Sequence, residues 1–106
     1  MPKVSICIPT FNRIDLLPFA IESVLKQTYQ DFELIVCDDG SSDGTAELMS
    51  QYQEKDNRIK YIRHDRNIGK SNNMRSGFDA ATGDYFIKFD DDDRLTADFI
   101  GQTSAI

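Results

Sequence analysis

Short apolar runs and segments with helical periodicity follow each other in turn along the chain. Apolar, β-prone runs predict four strands, at residues 3–9, 33–39, 59–65 and 84–89. The segments between them place apolar residues at helical spacing and predict three helices, and a fourth such pattern begins at Thr96. Strands that alternate with helices form βαβ units. The chain is therefore predicted to be an α/β protein, with three layers, α/β/α, around a mainly parallel sheet.

Capping residues and spacing predict where the three helices begin and which residues they bury. The first helix is predicted to begin near Asp15, an acceptable N-cap, with Pro18 in its first turn. The second follows the capping residues 41–43, and the third spans about 71–82 with Gly83 as its C-cap. The residues predicted to face inward are Leu17, Ile21, Val24, Leu25 and Thr28; Ala46, Met49, Tyr52 and Gln53; and Met74, Phe78 and Ala81.

Length and charge narrow the class of protein. The 106 residues suit a single domain, 1–106. The formal net charge is −6, which argues against a nucleic-acid partner because such partners favour a basic face. No apolar run reaches the roughly 18 residues of a membrane span, and the start MPKVSICIPT lacks the features of a signal peptide. A cytoplasmic protein with reduced, buried Cys7 and Cys37 is expected.

Chemically capable residues follow three of the four predicted strands. PTFNR (9–13) follows the first strand, DDGSSDGT (38–45) the second, and four aspartates (90–93) the fourth. In a parallel sheet the carboxyl ends of the strands lie at one edge, where ligands bind if the strand order reverses. We therefore expect these three segments to meet in one site.

The acidic run DDDD at 90–93 has two interpretations. Two carboxylates ~5 Å apart repel each other by roughly 3 kcal/mol at an effective dielectric of 20, so four in a row favour a bound cation. Carboxylate oxygens suit Mg²⁺ or Mn²⁺, and a short D-x-D is enough when substrate phosphates complete the shell. The alternative is a solvated acidic loop that caps the next helix. The Ca²⁺-loop pattern is absent.

The other two segments also leave alternatives open. Phe11 offers a stacking face for a base or is an ordinary aromatic, and Asn12 can orient a polar group. The carboxylates at 38–39 accept hydrogen bonds from a base or ribose, or belong to a plain βα turn. Gly69 and Lys70 open the third helix, where amides and a lysine can meet phosphate. Neither a P-loop nor a dinucleotide fingerprint is present.

Taken together, these segments resemble a known family. VSICIPTFNR, SVLKQTYQDFELIVCDDGSSDGT and NIGKSNNMRSGFDAATGDYFIKFDDDDRL are similar, in order and spacing, to the amino-terminal half of family-2 glycosyltransferases of the GT-A fold. The resemblance covers residues 3 to about 100. It implies a Rossmann-like sheet with strand order 3-2-1-4. It also implies an enzyme that transfers a sugar from a nucleotide-sugar, usually a UDP-sugar, with inversion at the anomeric carbon.

The resemblance also implies roles for the nucleotide-binding residues. Thr10 and Phe11 match the stretch that contacts uridine, where the family often has Tyr, and Asn12 lies next to it. Asp39 matches the acid that reads the uracil imide, with Asp38 beside it. Asp90 matches the first acid of the D-x-D motif and is expected to contact the ribose or nucleotide.

The remaining implied roles concern the metal ion and the diphosphate. Asp92 matches the acid that reaches Mn²⁺ or Mg²⁺, Asp93 matches a common additional acid, and Asp91 holds the variable position. The family frequently has an Arg-Asn pair on the third helix, where this chain has Met-Arg at 74–75. Lys70 resembles a subset of members that have lysine directly after Gly69, so the resemblance makes it the preferred cation for the nucleotide or diphosphate.

The chain is shorter than the family's domain. The family's catalytic base lies beyond residue 106, so a truncated half that binds the donor without transferring the sugar is expected. The acceptor is expected to be a saccharide or lipid-linked saccharide, which would place the full protein at the cytoplasmic face of the membrane. Homo-oligomers through the surface exposed by truncation are possible. The alternatives are a nucleotidyltransferase, which would need a basic glycine-rich loop after the first strand, and a non-catalytic nucleotide-binding or assembly module.

Overall fold

The computed structural model describes residues 4–27 and 30–90. The elements in chain order are β1 (Val4–Thr10), α1 (Leu17–Leu25), β2 (Phe32–Asp38), α2 (Thr45–Lys55), β3 (Ile59–Arg63), α3 (Lys70–Ala80) and β4 (Tyr85–Lys88). The predicted alternation of strands and helices is confirmed. Within the described ranges, every helix is too short or too polar to cross a membrane.

The four strands form one parallel sheet in the order β3-β2-β1-β4. This confirms the strand order that the family resemblance implied. In the register, Thr10 at the end of β1 lies beside Asp38 at the end of β2, and Asp38 lies beside Arg63 at the end of β3. The chain order reverses between β1 and its two neighbours, so the carboxyl ends of β1, β2 and β4 surround the expected crevice.

Helices cover both faces of the sheet, as the three-layer prediction requires. On one face, the apolar side chains of α1 and α2 pack on alternate residues of β1 and β2, such as Ile6 and Leu34. On the other face, Cys7, Ile35 and Cys37 form a smaller cluster beneath Met74 of α3. Both cysteines are buried free thiols, in agreement with the prediction.

The start of α1 differs from the prediction. The helix begins at Leu17 with Leu16 at the N-cap, and no side chain caps it. Instead, the backbone carbonyl of Arg13 accepts hydrogen bonds from the amides of Leu16 and Leu17, at 3.0 and 2.9 Å. Asp15 lies exposed within this turn, so its prediction as the N-cap was wrong. Pro18 does lie in the first turn.

The buried face of α2 agrees with the prediction at Met49 and Tyr52 and differs from it at Ala46 and Gln53. Thr45, Met49 and Tyr52 are buried, whereas Ala46 and Gln53 are exposed. One residue corresponds to about 100° around a helix, so residues next to a buried position turn toward solvent. The predicted inward residue Thr28 and the helix expected from Thr96 lie outside the described residues.

The inward face predicted for α3 is confirmed at Met74 and Ala81, which pack on the smaller cluster, and is wrong at Phe78. Its buried residues are Asn73 and Gly77, while Phe78 is 60% exposed. A Cβ atom at Gly77 would lie 2.5 Å from the Sγ atoms of both Cys7 and Cys37, so the helix approaches the sheet at this glycine. This contact turns Phe78 away from the core. The C-cap of α3 is Ala81, and the predicted C-cap Gly83 lies against β1.

A buried carboxylate that sequence patterns did not single out ties the sheet to the α3–β4 connection. Glu33 of β2 is 3% exposed and accepts hydrogen bonds from the Ser5 hydroxyl at 2.5 Å, the Thr82 amide at 2.6 Å and the Lys60 ammonium at 2.5 Å. Burial by itself would raise the pKa of Glu33, but the hydrogen bonds from Lys60, Ser5 and Thr82 outweigh it and lower the pKa to about 2. The Ser5 hydroxyl also accepts the Gly83 amide at 2.8 Å.

Candidate functional site

A cleft of about 370 Å³ opens at the carboxyl edge of the sheet. It lies between the segment after β1, the first turns of α3 and the end of β4. Of the residues predicted for a site, Thr10, Phe11, Asp39, Lys70 and Asp90 line it. These side chains come from positions 10 to 90 of the chain, so the parallel sheet brings together what the sequence separates.

Asn12 lies outside the lining of this cleft and joins two loops. It adopts a left-handed backbone conformation with a φ of 52°. Its amide donates to the Ser41 hydroxyl at 2.7 Å, and its Oδ1 atom accepts the Ser42 amide at 2.8 Å. Asparagine tolerates the left-handed region better than most residues with a Cβ atom. The side chain predicted to orient a ligand therefore holds the β1–α1 loop, with Phe11, against the β2–α2 loop.

Asp38 also lies away from the cleft, although it was predicted to bind nucleotide. It is fully buried, and its Oδ1 atom accepts the Ser41 amide at 2.8 Å. Its Oδ2 atom accepts the Tyr61 hydroxyl. Burial and this hydrogen bond raise the pKa of Tyr61, so the hydroxyl remains a donor. With both oxygens engaged inside the protein, Asp38 supports the ends of β2 and β3 rather than the cleft wall.

Asp39 faces the cleft and also holds the loop before α3. It is 4% exposed, its Oδ1 atom accepts the Ile68 amide at 2.7 Å, and its Oδ2 atom accepts the Gly69 amide at 3.2 Å. The adjacent Gly40 allows the loop to approach, because a Cβ atom there would lie 2.8 Å from the carbonyl carbon of Arg66. Each carboxylate oxygen has further acceptor capacity. Asp39 can therefore accept a ligand N–H or O–H from a fixed position.

The first turn of α3 presents Lys70 to the cleft. Gly69 precedes it with a φ of 94°, a conformation that favours glycine. The helix has no side-chain hydrogen bond at its N-cap. A lysine at the positive end of a helix is suited to an anionic ligand.

Three polar lining residues were not among the predicted site residues: Arg13, Asn73 and Lys88. The Asn73 Nδ2 atom donates to the Cys37 carbonyl at 2.9 Å, and its buried Oδ1 atom has no hydrogen-bond partner among the described residues. Periodicity carried no signal for Asn73, because a polar residue at a helix position is usually exposed. The sequence did carry a signal for Lys88. Side chains two residues apart in an extended segment share a face, and Lys88 lies two residues before Asp90.

The carboxylates expected to bind a metal ion are described only in part. The Asp90 Oδ1 atom lies 3.4 Å from the Lys88 ammonium. Asp92 and Asp93 lie outside the described residues. Residues 4–27 and 30–90 hold no group of three His, Cys, Asp or Glu side chains that could bind a metal ion by themselves.

The charges around the cleft suit a small anion with an aromatic end. The cationic side chains of Arg13, Lys70 and Lys88 line it together with the carboxylates of Asp39 and Asp90. Backbone amides already stabilise the negative charge of Asp39. The 42% exposed ring of Phe11 adds a stacking surface at the same cleft. The arrangement can bind a phosphate group and a planar base together.

Comparisons with known proteins agree with this architecture. A β-1,3-glucosyltransferase from Campylobacter jejuni, which acts on GalNAc(5)-diNAcBac-PP-undecaprenol, is 44% identical over 90% of this chain and 31% of its own length. The Staphylococcus aureus TarS 1-349 structure in complex with UDP-GlcNAc has a TM-score of 0.89 at 25% identity, over 97% of this chain and 30% of that one.

A third comparison shows the fold alone. The mannosyltransferase PcManGT from Pyrobaculum calidifontis, solved with GDP-Man and Mn²⁺, has a TM-score of 0.86 at 23% identity, over 93% of this chain and 30% of that one. The chain thus spans less than a third of the length of each of these proteins. The sequence profile of glycosyl transferase family 2 matches residues 5–103. The chain therefore belongs to glycosyl transferase family 2.

Proposed function

We propose that this chain is the donor-binding part of an inverting, metal-assisted glycosyltransferase that uses a UDP-sugar. The observation that carries the proposal is the cleft at the carboxyl ends of β1, β2 and β4. There an aromatic ring, a fixed carboxylate and cationic side chains line one cavity. A nucleoside diphosphate presents a planar base, hydroxyl groups and a double anion, which correspond to these three kinds of group.

Phe11 and Asp39 are assigned to the uracil base. The Phe11 ring supplies a stacking face, and stacking of a base on an aromatic ring contributes roughly 1–3 kcal/mol. The Asp39 carboxylate accepts a hydrogen bond from the imide N–H. The hydrogen bonds from the Ile68 and Gly69 amides fix the position of this carboxylate. Asn12 acts indirectly, by holding the loop that carries Phe11.

The ribose and the diphosphate are assigned to other residues of the cleft lining. Thr10 and Asp90 accept hydrogen bonds from ribose hydroxyls, and Lys70 contacts the diphosphate from the start of α3. Asp38 supports this arrangement from within the protein by fixing the end of β2.

Asp92 and Asp93 are assigned to a divalent ion, Mn²⁺ or Mg²⁺. The donor set fits such an ion, because Asp90 offers a carboxylate oxygen beside the same acidic run and hard cations prefer oxygen ligands. When bound, the ion would stabilise the negative charge that develops on the diphosphate leaving group.

Acceptor binding and acceptor deprotonation are assigned to the part of the relatives that this chain does not match. A lipid-linked saccharide, as named for the Campylobacter relative, is the acceptor class we propose.

The proposal is tested by calorimetric titration of the 106-residue chain with UDP, with and without Mn²⁺. We expect UDP to bind and Mn²⁺ to strengthen the binding. Asp92→Ala should abolish the effect of Mn²⁺, whereas the matched variant Asp91→Ala removes the same charge one residue away and should retain it. Absence of UDP binding in both buffers would refute donor binding. An unchanged Mn²⁺ effect in Asp92→Ala would refute the metal assignment alone.

A further inference from the structure

Lys88 stands at the end of a strand, beside the acidic run and inside the proposed donor site. It is the last residue of β4, and its side chain lines the 370 Å³ cleft together with Lys70. Both lysines also line an adjoining cavity of about 750 Å³ on the α3–β4 face. The two lysines therefore line the same two cavities, one from a helix start and one from a strand end.

The ion pair between Lys88 and Asp90 leaves the lysine available to a ligand. Its ammonium lies 3.4 Å from Asp90 Oδ1, and the two side chains are 56% and 51% exposed. Exposed ion pairs of this kind contribute little to folding. The ammonium also has three donors, so a carboxylate and an anionic ligand can share it.

Lys88 is a cation next to the most acidic segment of an acidic chain. The net charge is −6, and Asp91, Asp92 and Asp93 follow Asp90 directly. An anion that enters beside such a run is repelled unless local cations offset the carboxylates. Lys88 is the described cation closest in sequence to that run, and it is already paired with the first carboxylate.

We propose that Lys88 and Lys70 together bind the diphosphate, so that a nucleoside diphosphate binds this chain even without a divalent ion. The inference deepens the proposed function and rests on it. Lys88 offsets the charge of Asp90 and donates to a phosphate oxygen, while Lys70 donates from the start of α3. The second phosphate of the ligand then has a protein partner of its own, which gives a preference for UDP over UMP.

The test compares UDP and UMP binding in EDTA-treated buffer for the 106-residue chain and its variants. Lys88→Met keeps most of the aliphatic stem and removes the charge. We expect it to weaken UDP binding on the order of tenfold, as loss of one charge-assisted hydrogen bond implies, and UMP binding less than threefold. Lys88→Arg should retain UDP binding because it retains the charge.

Lys26→Met is the matched control. Lys26 is exposed at the end of α1, away from the cleft lining, and its replacement changes the net charge of the chain equally. It should leave UDP binding unchanged, and circular dichroism should show native folding for all variants because the side chains of Lys88 and Lys26 are exposed.

The possible results separate the inference from the proposed function. Two results would refute diphosphate binding by the two lysines while donor binding stands. In the first, UDP binds only when Mn²⁺ is present. In the second, Lys88→Met weakens the binding of UDP and of UMP equally, or weakens the binding of neither. If UDP fails to bind in either buffer, both proposals fail. UDP binding in EDTA with a selective loss in Lys88→Met supports the inference.

Discussion

The buried carboxylate of Glu33 makes a pH-dependent contribution to stability that one substitution can isolate. Glu33 has a pKa of about 2 in the folded chain, against an ordinary value of 4.5. A difference of this size corresponds to about 3 kcal/mol of stabilisation when the carboxylate is ionised in both states. Because the folded pKa is the lower one, this contribution is complete above about pH 5 and is lost as the pH falls from 4.5 toward 2.

Glu33→Gln removes the charge and retains the shape. We expect the free energy of unfolding of the variant to be about 3 kcal/mol lower than that of the wild type at pH 7. This difference, the stability gap, should be about 2 kcal/mol smaller at pH 3. The assay is urea unfolding followed by circular dichroism at both pH values. The gap is expected to narrow because the wild type loses the contribution of Glu33 in acid, whereas the glutamine never had it.

Lys60→Met serves as the control for the ion pair. The Lys60 ammonium makes the largest contribution to the lowered pKa of Glu33, but its side chain is 47% exposed, so its loss should cost less than the loss of the buried carboxylate. The hydrogen bond from Ser5 is fully buried, whereas those from Thr82 are partly buried, like the one from Lys60. A gap for Glu33→Gln that is equally large at pH 7 and pH 3 would refute the assignment of a lowered pKa. A cost for Lys60→Met as large as that for Glu33→Gln would show that the ion pair dominates.

Two further substitutions test packing and loop geometry. Gly77→Ala places a Cβ atom 2.5 Å from the sulfur atoms of Cys7 and Cys37, so we expect a loss of about 1–3 kcal/mol, measured by thermal unfolding; an unchanged melting temperature would contradict the close contact. Asn12→Ala removes the hydrogen bond to the Ser42 amide at a φ of 52° and should lower both stability and UDP affinity. Asn12→Gly, which tolerates the same φ, should be the more stable of the two variants, and the reverse order in urea unfolding would exclude backbone strain as the cause.

Much of the candidate cleft could be predicted because its residues follow strand ends. Thr10, Phe11 and Asp39 come directly after apolar runs, and parallel strands end at a common edge. The separate functions of neighbouring residues could not be predicted in this way. Asp38 and Asp39 are adjacent and chemically identical. Asp38 accepts a hydrogen bond from the Ser41 amide inside the protein, whereas Asp39 lines the cleft. Successive strand residues point to opposite faces, and only the packed sheet decides which face is the cleft.

The sequence by itself determined the alternation of strands and helices, the family and the edge of the sheet at which the candidate cleft opens. These depend on local periodicity and on motifs that are contiguous in the chain. The tertiary structure decided the contacts between distant segments, such as Glu33 with Thr82 and Gly77 with Cys7 and Cys37. It turned Phe78 outward and brought Lys88 and Lys70 to the same cleft. Local spacing gives the direction of a side chain relative to its own element, whereas a partner tens of residues away depends on how the elements pack.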